Sequence, residues 1–381
     1  MISPPAAISA SGRLLTIDML RGFAAMAVLL FHASGQGLFS EIGQIHLPSS
    51  WLKIGIYPAS YGFAGVYLFF VISGFCIHLR WVKNQVHGGG EKPLEFVTFW
   101  KRRFKRLYPA YLAALLLYIG ASWQLGDLQL TTFFVWDLTS HLLMLHNLDP
   151  RTVYSIKEVF WTLAIEEQLY LAYFLLIWLR TRYGWMITLS VTFAARAIWF
   201  ALAFLLIRTL EVQVPVLESA MTNWFIWTLG AISVEARYGM LKLPSWCYST
   251  MVATLSLLLA SMHYSVDWLN GSVGYTGKAI VFVLQPLWGI GFFILLNKVA
   301  TLESILSRFS VVRSIAYVGT FSYSLYLVHE LAFLFVPSVP WPTKAVIALL
   351  FAWVFYVFFE KPFINVHRPT SERVAFAFSL K

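Results

Sequence analysis

Arg21 and His32 are the residues in this chain whose types and spacing point first to chemistry. Both lie in the apolar run Leu14 to Ser34, LLTIDMLRGFAAMAVLLFHAS, which is long enough to cross a bilayer. An arginine at mid-depth in such a helix costs roughly 2.5 kcal/mol or more, so intramembrane ions usually mark a polar cavity or a reaction site. At about 100° per residue the two share one helix face to within roughly 20°, about 16 Å apart along the axis. One face therefore carries a fixed cation near its start and a titratable imidazole near its end. Imidazole titrates near neutral pH, which makes His32 a candidate general base. The plainer alternative is that Arg21 snorkels to an interface while His32 hydrogen-bonds a neighbouring helix.

Further sets of residues suit a group-transfer site. In FWKRRFKRLYPAY, residues 99–111, Lys101, Arg102, Arg103, Lys105 and Arg106 precede an apolar segment. Arg103 and Arg106 share a helix face, and guanidinium forks match phosphate oxygens. The same run also reads as an anchor for anionic lipid head groups. In FFVISGFCIH, residues 69–78, Ser73 and Gly74 interrupt bulky side chains. They make either a notch for helix packing or a kink that opens the backbone to a ligand. No G-x-S-x-G elbow surrounds Ser73, which weakens it as a nucleophile. Glu166 and Glu167 sit inside the apolar run EVFWTLAIEEQLYL and point about 100° apart, so one at most faces a given cavity squarely. A buried glutamate must be neutral, paired or functional, and Arg21 or Arg196 could pair with Glu166. Tyr323, Tyr326 and His329 line one stripe of SYSLYLVHE, and Glu360 in FFEKPF is placed to meet a basic residue.

The elements that must position these groups are helices in a bilayer. The chain has 381 residues, 59% hydrophobic and 12% charged, against about 25% charged in soluble domains. Cys76 and Cys247 fall in separate apolar runs and suggest neither a disulfide framework nor a metal cluster. Hydropathy predicts an all-α polytopic protein with ten spans, near 14–35, 59–80, 108–124, 159–179, 185–207, 220–236, 246–263, 278–297, 314–336 and 343–359. The stretch 131–148 is too short to cross and reads as interfacial or re-entrant. With the N-terminus in the cytoplasm, 20 of the 28 Lys and Arg residues fall on that side, which places both termini inside. Residues 1–12 and 370–381 are expected to be short cytoplasmic tails around one membrane domain, 13–369. The net charge of +10 then reflects lipid contact and calls for no nucleic-acid partner.

As an ordered set, these residues resemble the acyltransferase 3 family. The matching elements are Arg21-Gly22 with His32, the SGF at 73–75, Arg103-x-x-Arg106-x-x-Pro109 with Tyr111, WTLAIEEQLY at 161–170, SYSLYLVH at 322–329 and Glu360-x-Pro362. Threonine at 162 stands where serine is commoner in that family. The resemblance implies a ten-helix core in the bacterial cytoplasmic (inner) membrane. It would take an acyl group, acetyl by default, from cytoplasmic acyl-CoA and place it on a hydroxyl of a carbohydrate acceptor such as an exported polysaccharide. It implies an essential Arg21/His32 pair and a donor-binding role for Arg103 and Arg106. The donor set is extended to Arg102, Ser73, Tyr326 and His329. Glu166 is assigned to the catalytic group, where it could orient the His32 imidazole through its second nitrogen as the acid of a Ser-His-Asp arrangement does. No metal is expected. A small-molecule or lipid-linked sugar acceptor is the neighbouring alternative. A proton-coupled secondary transporter would share intramembrane Arg, His and Glu, yet no corresponding Gly/Pro-interrupted spans recur in two halves. Oligomeric state stays open.

Overall fold

The computed structural model describes residues 14–35, 58–87, 95–270 and 275–364, with the side chains of 263–278 outside the description. Among them every regular element is helical. The helices are α1 Leu15–Gly35, α2 Gly65–His87, α3 Phe96–Leu125, α4 Thr132–Leu142, α5 Trp161–Leu210 and α6 Ala220–Arg237. They continue as α7 Thr250–Asn270, α8 Tyr275–Thr301, α9 Glu303–Leu306, α10 Ser310–Thr320, α11 Ser322–Phe335 and α12 Trp341–Phe355. The long apolar helices make this an integral membrane protein.

Length and hydropathy qualify five helical stretches as spans: Leu15–Ala33, Tyr61–Val86, Glu158–Leu210, Ala279–Thr301 and Trp341–Phe363. A sixth comes from α10 and α11, which meet at 76°. The expected single span over 314–336 is therefore a bent pair. Glu158–Leu210 is twice the length of a crossing. It divides at Gly184, whose φ of 79° and ψ of 178° suit only glycine, so α5 is two rods meeting between the expected spans 159–179 and 185–207. The basic run is not a loop before a span, because α3 begins at Phe96 and carries Arg103 and Arg106 on its own first turns.

Lipid tails offer no hydrophobic drive for helix pairing, so close backbone contact does that work. A Cβ on Gly74 would lie 1.9 Å from the Trp227 carbonyl oxygen, and one on Gly230 1.9 Å from that of Val71, so α2 and α6 interlock at two glycines. Of the two readings of Ser73–Gly74, the structure shows the packing notch and not the kink. α2 runs unbroken through it, because the missing side chain serves the neighbouring helix rather than a kink. Gly22 on α1 and Gly319 on α10 make the same kind of crossing, with a Cβ at 319 only 1.8 Å from the Asp18 carbonyl oxygen.

Candidate active site

Arg21 stands one residue before the Gly22 crossing, so α10 presses α1 against the body of the protein and the guanidinium turns inward. There it lines a cavity of about 120 Å³ with Ser73, Arg103, Arg106, Glu166, Tyr326 and Glu360. Residues from α1, α2, α3, α5 and α11 and from the turn after α12 thus converge. Arg21 donates to Cys76 Sγ at 3.4 Å and lies 3.8 Å from Asp18. Arg103 stacks over Phe99 and Tyr170, 5.8 Å from each ring centre. Arg106 has a buried Nε with no hydrogen-bond partner among the described residues. Glu166 accepts from the Tyr170 hydroxyl at 2.8 Å, while Glu360 accepts from the Ser324 amide and hydroxyl. Three guanidiniums therefore face two carboxylates that are already hydrogen-bonded. A partly dry site with surplus guanidinium donors suits an anionic, phosphate-like ligand.

The donor set separates. Arg102 lies outside the lining, nearest to Arg80, Arg103 and Glu95. Glu167 also lies outside it, as its 100° offset from Glu166 requires. Ser73 lines the cavity, and its hydroxyl accepts from Trp227 Nε1 at 3.2 Å. Arg196 is no partner for Glu166; it is spent on the Thr222 carbonyl and Gln285, against the Phe282 ring.

A second cavity, of about 190 Å³, lies toward the other end of α1 and is walled by His32, Phe31, Phe63, Tyr67, Trp161 and Tyr326, with exposed Tyr154 and Glu158 at its edge. Val66 and Tyr326 belong to both cavities, and the Tyr326 hydroxyl is held 2.8 Å from Thr162 Oγ1. Tyr326 is thus the partition between a cationic chamber and an aromatic one.

The carboxylate beside His32 is not Glu166. His32 Nδ1 lies 3.6 Å from Oε1 of Glu330, and the other oxygen of Glu330 binds the Lys157 ammonium. Glu166 is held in the first cavity with Tyr170, on the Arg21 side. His329, grouped with the donor set in the sequence, lines neither cavity. It is buried behind His32 with ring centres 5.1 Å apart, and its Nδ1 faces the Leu325 and Tyr326 carbonyls at 3.0 Å. Its Nε2 has no partner among the described residues. Donor atoms of His32, His329 and Glu330 lie within 4.8 Å of one another, the spacing of a possible metal trio. The Lys157 ammonium on Glu330 opposes a dication there. Sequence reading missed Glu330 and Lys157. The signal was present: Glu330 directly follows His329 in an otherwise apolar helix, and Lys157 directly precedes the WTLAIEEQLY segment.

Lys157 is delivered by a tightly tied connection. Ser155 Oγ donates to Asp137 Oδ1 at 2.6 Å, and the Asn147 and Gln168 amides bond each other at 2.6 Å. Arg151, with help from the Trp136 indole N–H, holds the Asp149 carboxyl down at about 2.

Peptidoglycan O-acetyltransferase OatA of Listeria monocytogenes is 25% identical over 342 residues, covering 82% of this chain and 48% of that protein. O-acetyltransferase OatA of Staphylococcus aureus is 30% identical over 176 residues, 42% of this chain and 24% of that protein. Acyltransferase MdmB of Streptomyces mycarofaciens is 29% identical over 166 residues, 42% of this chain and 38% of that protein. The chain thus spans about half or less of the length of these curated relatives. No solved structure matches it significantly. The family described as "Acyltransferase domain" matches residues 14–359, which takes in α1 to α12 and the lining of both cavities apart from Glu360, and the chain belongs to that acyltransferase 3 family.

Proposed function

We propose that the protein is a membrane-bound O-acyltransferase that moves an acyl group, acetyl by default, from acyl-CoA to a hydroxyl of a carbohydrate acceptor in the cell envelope. The observation that carries this reading is the pair of cavities that meet at Tyr326. One end of α1 presents surplus arginines, and the other end presents an imidazole about 16 Å away. Phosphates of the donor bind Arg103 and Arg106, with Arg21 deeper in the same chamber. The pantetheine arm passes Ser73 and Tyr326 and brings the thioester carbonyl to His32.

His32 Nε2 takes the proton of the acceptor hydroxyl as its oxygen attacks the thioester carbonyl. The new C–O bond forms, the C–S bond breaks, and the imidazolium returns its proton to the departing thiolate. The names of two of the relatives, both O-acetyltransferases and one of them a peptidoglycan O-acetyltransferase, support an envelope-sugar acceptor. The basic residues around the arginine chamber support an orientation with both termini and the donor site on the cytoplasmic side, in a protein that we read as lying in a bacterial inner membrane.

The test is acyl transfer from labelled acyl-CoA by purified protein in liposomes, together with the mass of surface glycans from cells with and without the gene. A loss of one acyl group per modified sugar is expected. Unchanged glycans and no labelled product would sink the reading. Orientation is read with single cysteines at Gln44 and Gly89, in a background lacking Cys76 and Cys247. An impermeant thiol reagent on intact cells is expected to label position 44 and spare 89.

A further inference from the structure

We infer that Glu330, with Lys157 as its counter-ion, is the positioning residue that sets the tautomer of His32. The inference rests on the reading of His32 as general base.

The argument starts from burial. The Glu330 side chain is 4% exposed in the apolar helix α11, and a carboxylate there is tolerated only when paired. Lys157, 21% exposed at the end of its tied connection, supplies the charge and occupies Oε2. Oε1 is left buried and without a hydrogen-bond partner, facing His32 Nδ1 at 3.6 Å. That separation is just beyond a hydrogen bond, and such contacts commonly tighten when substrate closes the site.

The chemistry follows from donor and acceptor counts. A carboxylate paired with an ammonium is ionised and can only accept. His329 brings no competing donor: its Nδ1–H is committed to the Leu325 and Tyr326 carbonyls, so its buried Nε2 carries a lone pair. With Glu330 Oε1 facing Nδ1, the proton of neutral His32 belongs on Nδ1. Nε2 is then the unprotonated nitrogen, available to the cavity where the acceptor hydroxyl is to bind. When His32 becomes an imidazolium, the Glu330 charge stabilises it. Lys157 keeps that carboxylate from taking the proton itself. The other titratable groups around His32 are Glu158 beside Lys157 and the phenols of Tyr67, Tyr154 and Tyr326. None of these is close enough to His32 to form an ion pair or hydrogen bond, so none substitutes for Glu330.

The experiment uses the full chain in nanodiscs and three variants: Glu330→Gln, Lys157→Met and the two combined. Glu330→Gln is expected to lower kcat about 100-fold or more, as loss of a tautomer-setting carboxylate does, with donor KM within about twofold of wild type. Nitrogen-15 NMR of the His32 ring, assigned against His32→Ala, is expected to show the Nδ1–H tautomer in wild type and a mixture in Glu330→Gln. Lys157→Met strands a buried charge and is expected to melt at lower temperature. The combined variant removes both charges, so its melting temperature recovers while kcat stays low. It also supplies a folded protein if Glu330→Gln alone does not fold.

Recovery of kcat together with stability in the combined variant would overturn the inference, leaving the pair a structural bridge. An unchanged His32 tautomer in Glu330→Gln would do the same. Stoichiometric metal in wild type that disappears in Glu330→Gln would reassign the trio to a metal site. An active His32→Ala protein would instead strike the proposed function itself, which separates the two failures.

Discussion

Two buried clusters in this protein are built from the same parts, a histidine, a glutamate and a cation, and they end in opposite states. In the first, Glu235 accepts from His78 Nε2 at 3.0 Å, from Arg180 at 2.7 and 2.9 Å, and from the Trp185 indole at 2.8 Å. Tyr173 completes it on His78 Nδ1 at 3.1 Å. Every polar atom named there has a partner, and neither cavity reaches Glu235 or His78. In the second, His32, Glu330 and Lys157 border a chamber, and Glu330 Oε1 and His329 Nε2 are buried without partners. A saturated network of hydrogen bonds fixes helices in place, whereas an unsaturated one beside a cavity keeps bonding capacity for a substrate. The residue types are the same; the difference is what they leave unmet.

The sharpest way to break the comparison is His32→Ala. It is expected to cut transfer about 10²–10⁴-fold while the melting temperature in detergent stays close to wild type. Near-normal activity in a well-folded variant would remove His32 from the chemistry. Glu235→Gln is expected to do the reverse. Leaving a cation and a histidine around a lost buried charge costs roughly 3–5 kcal/mol of stability, while the rate per folded molecule is kept. A strong kcat effect without destabilisation would make the first cluster functional too.

In the cationic chamber, Arg106→Ala removes charge-assisted bonds that ground and transition states share. Donor KM is expected to rise about tenfold or more at nearly constant kcat, with lysine intermediate because it keeps charge but loses the fork. Arg102→Ala, outside the lining, is the control and is expected to change donor KM little. Glu166→Gln is expected to impair activity more than Glu167→Gln; equal tolerance would take Glu166 out of the site.

The smallest effect is expected from Asp149→Asn. Asp149's depressed carboxyl contributes stability above the unfolded value near 4, and that contribution is lost as pH falls toward about 2. A slight drop in melting temperature at pH 7 that vanishes near pH 2 is the expected pattern.

Much of the arginine chamber was legible in the sequence, because each member is an expensive ion in an apolar helix and helix phase assigns it a face. Spacing put Arg103 and Arg106 on one face and let only one of Glu166 and Glu167 face a cavity; the choice of Glu166 came from the family resemblance. What spacing cannot say is which two helices meet. His32 was therefore given Glu166, a carboxylate with the right chemistry, when α11 brings Glu330 to it instead. Ser73–Gly74 is open between a notch and a kink for a related reason. A glycine in a helix serves a bend or a close neighbour equally well, and only the position of Trp227 decides. The bend between α10 and α11 was hidden because both halves are apolar enough to read as one span.

The straight run of α1 between Arg21 and His32 has a consequence for which donors can react. It works as a ruler. On the proposed reaction, a donor held in the cationic chamber carries its carbonyl about 16 Å past Arg21, three helical turns, to reach His32. Coenzyme A has an arm of that kind. An acyl phosphate does not, and would be anchored at Arg103 and Arg106 with its reactive carbon still in the lower chamber. Inserting one residue between Arg21 and His32 would turn the imidazole about 100° off the shared face and lengthen the gauge by only about 1.5 Å. On that reading, selection among donors follows from the number of residues separating two side chains.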